Sequence, residues 1–121
     1  MTFEQFDKIQ RELIGEVIAM RDTKGREYAH DADRFANFRR LSATTGIKDY
    51  QVAYVYLVKH LDSIASFMKT GQEFSSEKIR GRIVDAITYL TLIAGMIDES
   101  SGGHNTGKLQ PFEYTPEQPC K

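Results

Sequence analysis

One carboxylate, that of Asp85, lies within the most apolar stretch of the chain, the run from Ile83 to Ile97. A lone buried carboxylate is costly, so this stretch predicts a polar partner for Asp85. Arg82 and Tyr89 stand about one helical turn before and after Asp85, within reach along a helix. An Arg–Asp ion pair or a Tyr–Asp hydrogen bond in an ordinary core accounts for this pattern as well as a binding site or metal site does.

A second polar cluster, Lys59-His60-Leu61-Asp62, falls within another apolar segment. Lys59 and Asp62 are three residues apart and share one side of a helix, whereas His60 points to a different face. The pair is either a surface ion pair or one wall of a polar pocket opposite Asp85.

The segment from Lys24 to Phe38 is dense in charge and contains Gly25. Basic residues beside a glycine can clamp a phosphate, and an aromatic ring can stack on a base. A solvated loop has the same composition. The candidate ligand-binding residues of this segment are Lys24, Arg26, Glu27, Tyr28, Phe35 and Asn37.

The sequence contains none of the common catalytic signatures. Walker A, GxGxxG, HExxH and GxSxG patterns are absent, and His30, His60 and His104 do not have the spacing of metal ligands. Catalytic residues therefore stay unknown, and whether the protein is an enzyme is left open.

Composition restricts the class of protein. The chain has 121 residues, 40% of them hydrophobic and 27% charged, which fits one folded domain with a small core. The net charge of −1 lacks the basic excess of a duplex-DNA binder. No membrane segment or signal peptide is visible, and one cysteine, Cys120, agrees with a cytoplasmic location.

Hydrophobic periodicity predicts an all-α fold, a small bundle of about four helices. Thr2 and Gln5 form a capping box for the first helix, and Gly46 and Gly71 are suited to end the second and third. Arg21 to Asp33 is predicted as a loop that can include a helical turn around Glu27. Asp31 or Asp33 is expected to cap the second helix, and Ser75 or Ser76 the fourth. The predicted helices span about Phe3–Met20, Arg34–Ala43, Asp49–Thr70 and Glu77–Glu99.

The fourth helix is apolar nearly all round, which indicates burial on most sides. A bundle of this size has little else to cover it, so we expect a homo-oligomer, with dimerisation through this last helix. Residues 1–99 then form the helical domain, and residues 100–121, with Pro111, Pro116 and Pro119, a flexible tail.

Two patterns in this order resemble a phage-enriched helical family, the nucleotide-modification-associated domain 1 proteins. The stretch KGREYAHDADRFANF, Lys24 to Phe38, is similar to the family pattern Lys-Gly-x-Asp/Glu-Tyr followed by Asp-x-x-x-Asn-Phe. Lys59 is then followed by Glu77, Ile79, Asp85 and Tyr89, as in the family. The chain departs from the family at Thr88, where members usually have Asn, and at Asp62, where they often have Arg.

The resemblance, which covers roughly Val17 to Ile97, implies a phage or prophage protein of nucleotide or modified-base metabolism. Lys24, Arg26 and Lys59 would then meet phosphate, and Tyr28 or Phe35 the base. The layout also resembles the all-α nucleotide pyrophosphatases, although their carboxylate motif is absent. Glu77 and Asp85 are the candidate ligands for Mg²⁺.

Two alternatives stay open. The protein could sequester a host signalling nucleotide without turnover, in the same pocket or between subunits. It could also be a protein–protein module that inhibits a host factor through an exposed apolar side of the fourth helix.

Overall fold

The structure, a computed structural model, describes residues 1–28, 33–73 and 76–102, with the backbone alone over 21–28. These ranges contain four helices and no strand, which confirms the all-α fold class. The helices are α1 (Phe3–Tyr28), α2 (Ala36–Thr45), α3 (Asp49–Thr70) and α4 (Ile79–Ser100).

Helix α1 is longer than its apolar stripe predicts. The prediction of a loop is wrong for residues 21–28, because the helix continues through this charged segment to Tyr28. Arginine, lysine and glutamate are good helix formers, and one internal glycine costs only about 1 kcal/mol relative to alanine. The predicted capping box is confirmed: the backbone N–H of Gln5 donates to Thr2 Oγ1 (3.1 Å) and that of Thr2 to Gln5 Oε1 (2.7 Å).

Helix α2 begins and ends two residues later than predicted. Phe35 is its N-cap, and its backbone N–H donates to Asp33 Oδ1 at 3.0 Å, so this carboxylate satisfies a donor just ahead of the helix. Gly46 ends the helix with φ 80°, as predicted. The prediction that Asp33 is the N-cap is therefore wrong, and Asp31, the other proposed cap, lies outside the described residues.

The predicted bounds of α3 are confirmed, and Gly71 ends the helix with φ 70°. Helix α4 begins at Ile79, two residues after the predicted start. Its N-cap is Lys78, so Ser76 does not cap it, and Ser75 lies outside the described residues.

Helices α3 and α4 form an antiparallel hairpin, because later residues of one contact earlier residues of the other: Tyr56 stacks on Tyr89, and His60 faces Asp85. Helix α1 packs on α4, where Arg80 Nε donates to Glu16 Oε1 at 3.0 Å. The buried apolar residues of the described chain are Val17, Val52, Ala53, Leu57, Val84, Ala86 and Met96.

Helix α4 is covered by α1 and α3 of its own chain. Among the large apolar side chains described on α4, only Leu90 is strongly exposed. Dimerisation through this helix stays a prediction. No described helix is both long and apolar enough to span a bilayer. The proposed tail beyond Gly102, with Cys120, lies outside the described residues.

Candidate functional site

Four rings gather where α2 meets the α3–α4 hairpin. The rings of Tyr56 and Tyr89 are stacked with centroids 5.8 Å apart and planes 11° apart. His60 stacks on Tyr89 at 5.3 Å, and Phe38 of α2 meets both tyrosines edge-on at 6.4 and 6.3 Å. Offset and edge-on pairs of this kind stabilise a fixed ring geometry. We call Phe38, Tyr56, His60 and Tyr89 the ring cluster.

Asp85 borders the ring cluster and faces His60. Its Oδ2 is 3.8 Å from His60 Nδ1, and the two side chains are 13% and 14% exposed. That distance is longer than a hydrogen bond. Nδ1 is buried and, among the described residues, has no hydrogen-bond partner. A small rotation of either side chain would close the contact, which leaves His60 poised beside a carboxylate.

The prediction that Asp85 faces a polar group is confirmed, and the polar group opposite it on α3 is His60. The Arg82–Asp85 ion pair and the Tyr89–Asp85 hydrogen bond within α4 stay predictions. Lys59 and Asp62 were placed opposite Asp85 and His60 on another face, whereas His60 occupies that position. Lys59 is exposed to solvent. The reason is the rotation of α3, since one residue along a helix changes the direction of a side chain by about 100°.

A cleft of about 330 Å³ lies next along the hairpin, toward the α3–α4 connection. Ser63 of α3 is one turn beyond His60, and Arg82 of α4 is one turn before Asp85, so the cleft begins where the His60–Asp85 pair ends. Its volume is within the range of small-molecule sites. The lining residues are Asp62, Ser63, Ser66, Phe67, Gln72, Glu73, Glu77, Ile79 and Arg82.

The charges of this cleft are mixed but mainly negative. It holds the carboxylates of Asp62, Glu73 and Glu77 and the guanidinium of Arg82. Arg82 Nη1 is 3.4 Å from Glu77 Oε2, and Lys78 Nζ is 3.7 Å from Glu73 Oε2. A naked phosphate would meet net repulsion here, whereas a phosphate that carries a divalent cation would not.

The two predicted metal ligands do not face the same site. Glu77 lines the cleft, while Asp85 faces His60. Within the described ranges, no three His, Cys, Asp or Glu side chains are arranged to hold a metal ion. The Mg²⁺ site at Glu77 and Asp85 therefore stays a prediction.

Phe35 and Asn37 are not members of the ring cluster. Phe35 packs against α4 at Gly95, and Arg39 lies over its ring at 5.9 Å, so Phe35 has a packing role at the far end of the hairpin. Asn37 is half-buried on α2, next to Phe38. The side chains of Lys24, Arg26, Glu27 and Tyr28 lie outside the described part of the chain.

Three residues of the ring cluster were missed from the sequence: Phe38, Tyr56 and His60. A signal existed, because Tyr56 and His60 are four apart on one apolar helix and Asp85 and Tyr89 are four apart on the next. Two such pairs on facing helices place four polar or aromatic groups in one layer.

A second, wider depression of about 490 Å³ lies between α2 and the start of α3. Its cations are already engaged: Arg39 pairs with Asp33 and Glu99, and Lys48 lies over the ring of Tyr50. None of the ligand-binding residues predicted from the sequence lines this depression.

Comparisons with protein-family models, with curated proteins and with solved structures find no match to this chain. The resemblance to the nucleotide-modification-associated family therefore stays a prediction. The geometry itself offers aromatic surface, a histidine–carboxylate pair and an acidic cleft in one line along the hairpin.

Proposed function

We propose that this protein binds a nucleotide or nucleotide-like small molecule along the α3–α4 hairpin. The observation that most supports this proposal is the position of the nearly buried His60–Asp85 pair. It lies between the stacked tyrosine rings on one side and the 330 Å³ cleft on the other. Small-molecule sites combine apolar and aromatic surface with a few converging polar groups. The ring cluster supplies the aromatic surface, and the His60–Asp85 pair and the cleft supply the polar groups.

The cleft would take the phosphate end with a divalent cation. The phosphate itself would supply part of the Mg²⁺ coordination, and Asp62 and Glu77 would contact the water ligands of the ion, because Mg²⁺ prefers oxygen ligands and keeps several of its waters. Arg82 would contact a phosphate oxygen with its planar guanidinium.

The ring cluster would take the base. Tyr56 is 39% exposed and offers ring surface for stacking. The imidazole of His60 and the carboxylate of Asp85 can hydrogen-bond to the edge of a base or to sugar hydroxyls. Ring cluster and cleft are one to two helical turns apart, roughly 5–10 Å along the helix axis, which a mononucleotide spans.

A panel of mononucleotides and dinucleotides, each with and without Mg²⁺, tests the proposal through the melting temperature of the protein. A ligand that binds the folded state raises the melting temperature by mass action. We expect at least one nucleotide to do so, and more strongly with Mg²⁺. A panel that produces no shift under either condition contradicts the proposal.

Two arginines of α4 provide a matched pair of variants. Arg82→Gln removes the guanidinium from the cleft and should reduce the nucleotide-induced shift. Arg80→Gln makes the same chemical change two residues earlier, where Arg80 pairs with Glu16 instead, and should leave the shift intact. Equal losses in both variants contradict the placement of phosphate in the cleft.

Turnover separates an enzyme from a protein that sequesters its ligand. The complex is denatured after incubation and the released nucleotide is analysed by mass spectrometry. Recovery of unchanged ligand supports sequestration, and recovery of product supports catalysis, for which His60 beside Asp85 is the natural general base. The phage or prophage origin implied by the resemblance fits either outcome and stays a prediction.

A further inference from the structure

Helix α1 projects beyond the rest of the bundle. Glu16 contacts Arg80 near the start of α4, and Phe35, a few residues after α1 ends, contacts Gly95 near the end of α4. Val17 is the first buried residue of α1, so the turns before it lie largely outside the packed part of the described chain. All residues from Met1 to Glu12 are exposed. The projecting part, Phe3 to Ile14, is about 18 Å long.

The projecting part of α1 carries an uncovered apolar stripe. Phe3 is 97% exposed, and Phe6, Ile9 and Ile14 are between 39% and 55% exposed. Arg11 and Asp7, which flank the stripe, pair within the helix at 2.8 Å, and Lys8 pairs with Glu12 at 4.0 Å on the opposite side. A second copy of the chain would thus meet little electrostatic repulsion here.

A second apolar face lies on α3, away from α4. Tyr54, Leu61 and Met68 are seven residues apart in turn and are 58%, 44% and 67% exposed. Val58 and Ala65 fall between them, so the spacing alternates between four and three residues, as in a coiled-coil seam. This outer face of α3 is about 21 Å long, which matches the projecting part of α1.

We infer that two copies of this chain dimerise by laying the α1 stripe of each along the outer α3 face of the other. Pairing of the two α1 stripes alone is disfavoured, because it would leave the exposed outer α3 face of both copies uncovered. Reciprocal docking is closed and isologous, and it covers both faces at once.

The area supports this arrangement. The exposed apolar side chains of the two faces together present on the order of several hundred Å² per copy. Reciprocal docking covers both faces on both copies, which brings the buried surface toward the roughly 1,200–2,000 Å² in total of a stable interface. Exposed apolar patches larger than a few hundred Å² mark interaction sites. His60 faces α4 on a different side of α3, so the dimer leaves the nucleotide site open.

Light scattering coupled to size-exclusion chromatography tests the inference on the full chain. We expect a dimer, whose melting temperature rises with protein concentration. The double variant Phe3→Glu/Phe6→Glu and, separately, Leu61→Glu should each give a helical monomer by circular dichroism. Lys8→Glu, on the opposite side of α1, should stay dimeric. A wild-type chain that is monomeric at all concentrations overturns the inference. A monomer that binds lipid vesicles instead also overturns it.

Disulfide trapping tests the partnership between the two helices. In a Cys120→Ser background, chains with Phe6→Cys are mixed with chains carrying a cysteine at position 54, 61 or 68. We expect oxidised mixed dimers for at least one of these positions and not for Lys59→Cys, which lies off the outer face. Trapping that is no stronger at 54, 61 and 68 than at 59 overturns reciprocal docking.

Discussion

His60 and Asp85 face each other across the α3–α4 interface, with 3.8 Å between Nδ1 and Oδ2. The contact fixes the register of the two helices, because Tyr56 and Tyr89 stack four residues away on the same side. The separation is slightly longer than a hydrogen bond, so a small rotation would bring His60 Nδ1 within reach of the carboxylate or of a ligand. Both proposed roles of the hairpin, structural and ligand-binding, depend on this contact.

A double-mutant cycle measures the contact in the absence of ligand. His60→Ala and Asp85→Ala should each lower the free energy of unfolding by about 1–3 kcal/mol, because each change removes a largely buried polar group from its partners. The double variant should lose less than the sum, with a coupling of about 0.5–1.5 kcal/mol. Urea unfolding of the four proteins gives these values.

The control cycle pairs His60→Ala with Asp98→Ala. Asp98 is on the same helix as Asp85 but 13 residues later, about 20 Å along the axis. Distant sites are additive to within about 0.5 kcal/mol. If the two cycles give the same coupling, His60 and Asp85 do not interact specifically.

The sequence predicted that Asp85 has polar surroundings, but it did not predict which residue of α3 lies opposite it. Spacing shows which residues share a side of α3, but the side that turns toward α4 depends on packing. Helix α3 has apolar residues in both directions, with Val52 and Leu57 buried and Tyr54 and Leu61 exposed. The pattern therefore could not tell that His60, rather than Lys59, lies opposite Asp85.

The bounds of the helices likewise show which features could be predicted from the sequence and which could not. The end of α3 was predictable because Gly71 supplies a left-handed residue after a regular apolar pattern. The end of α1 was not, since its last eight residues lack an apolar stripe and are helical by propensity and by continuity with the preceding turns. The exposure of Phe3 and Phe6 was likewise hidden, because an apolar stripe does not reveal what covers it.

Two glycines inside helices should respond differently to alanine. At Gly15 an added Cβ meets no atom within 4 Å, so Gly15→Ala should raise the free energy of unfolding by about 0.5–1 kcal/mol. At Gly95 the added Cβ would lie 3.0 Å from Phe35 Cζ, so the same gain in propensity is offset by crowding. Gly95→Leu should destabilise by about 1–3 kcal/mol. Thermal or urea unfolding checks both.

The variant Phe35→Ala tests whether that crowding is the cause. In this background the ring is gone, and Gly95→Ala should become stabilising by about as much as Gly15→Ala. A Gly95→Ala effect that is unchanged by removal of the ring would assign the cost to another contact of α4.

Gly71 should be sensitive to substitution for a purely conformational reason. Its φ is 70°, and no atom lies within 4 Å of an added Cβ. Gly71→Ala should therefore cost about 1–2 kcal/mol from the left-handed backbone alone. Gly71→Asn should cost less, since asparagine tolerates this region better. Equal losses for alanine and asparagine, measured by urea unfolding, would contradict a conformational origin.

Arg39 joins the start of α2 to the end of α4. Its Nε is 2.8 Å from Asp33 Oδ2, its Nη2 is 2.6 Å from Glu99 Oε1, and its guanidinium lies over the ring of Phe35. The side chain is 43% exposed, so solvent screens the ion pairs. Arg39→Met should lower the free energy of unfolding by about 1 kcal/mol, from both ion pairs and the ring contact together.

Arg39→Lys should recover only part of this loss, because an ammonium cannot bridge two carboxylates with the fixed geometry of a guanidinium. The neighbouring Arg40 is also exposed on α2, and Arg40→Met should change stability by no more than about 0.5 kcal/mol. High salt screens the pairs and should narrow the gap between wild type and Arg39→Met in urea unfolding. A gap that is unaffected by salt would assign the role of Arg39 to packing against Phe35 rather than to charge.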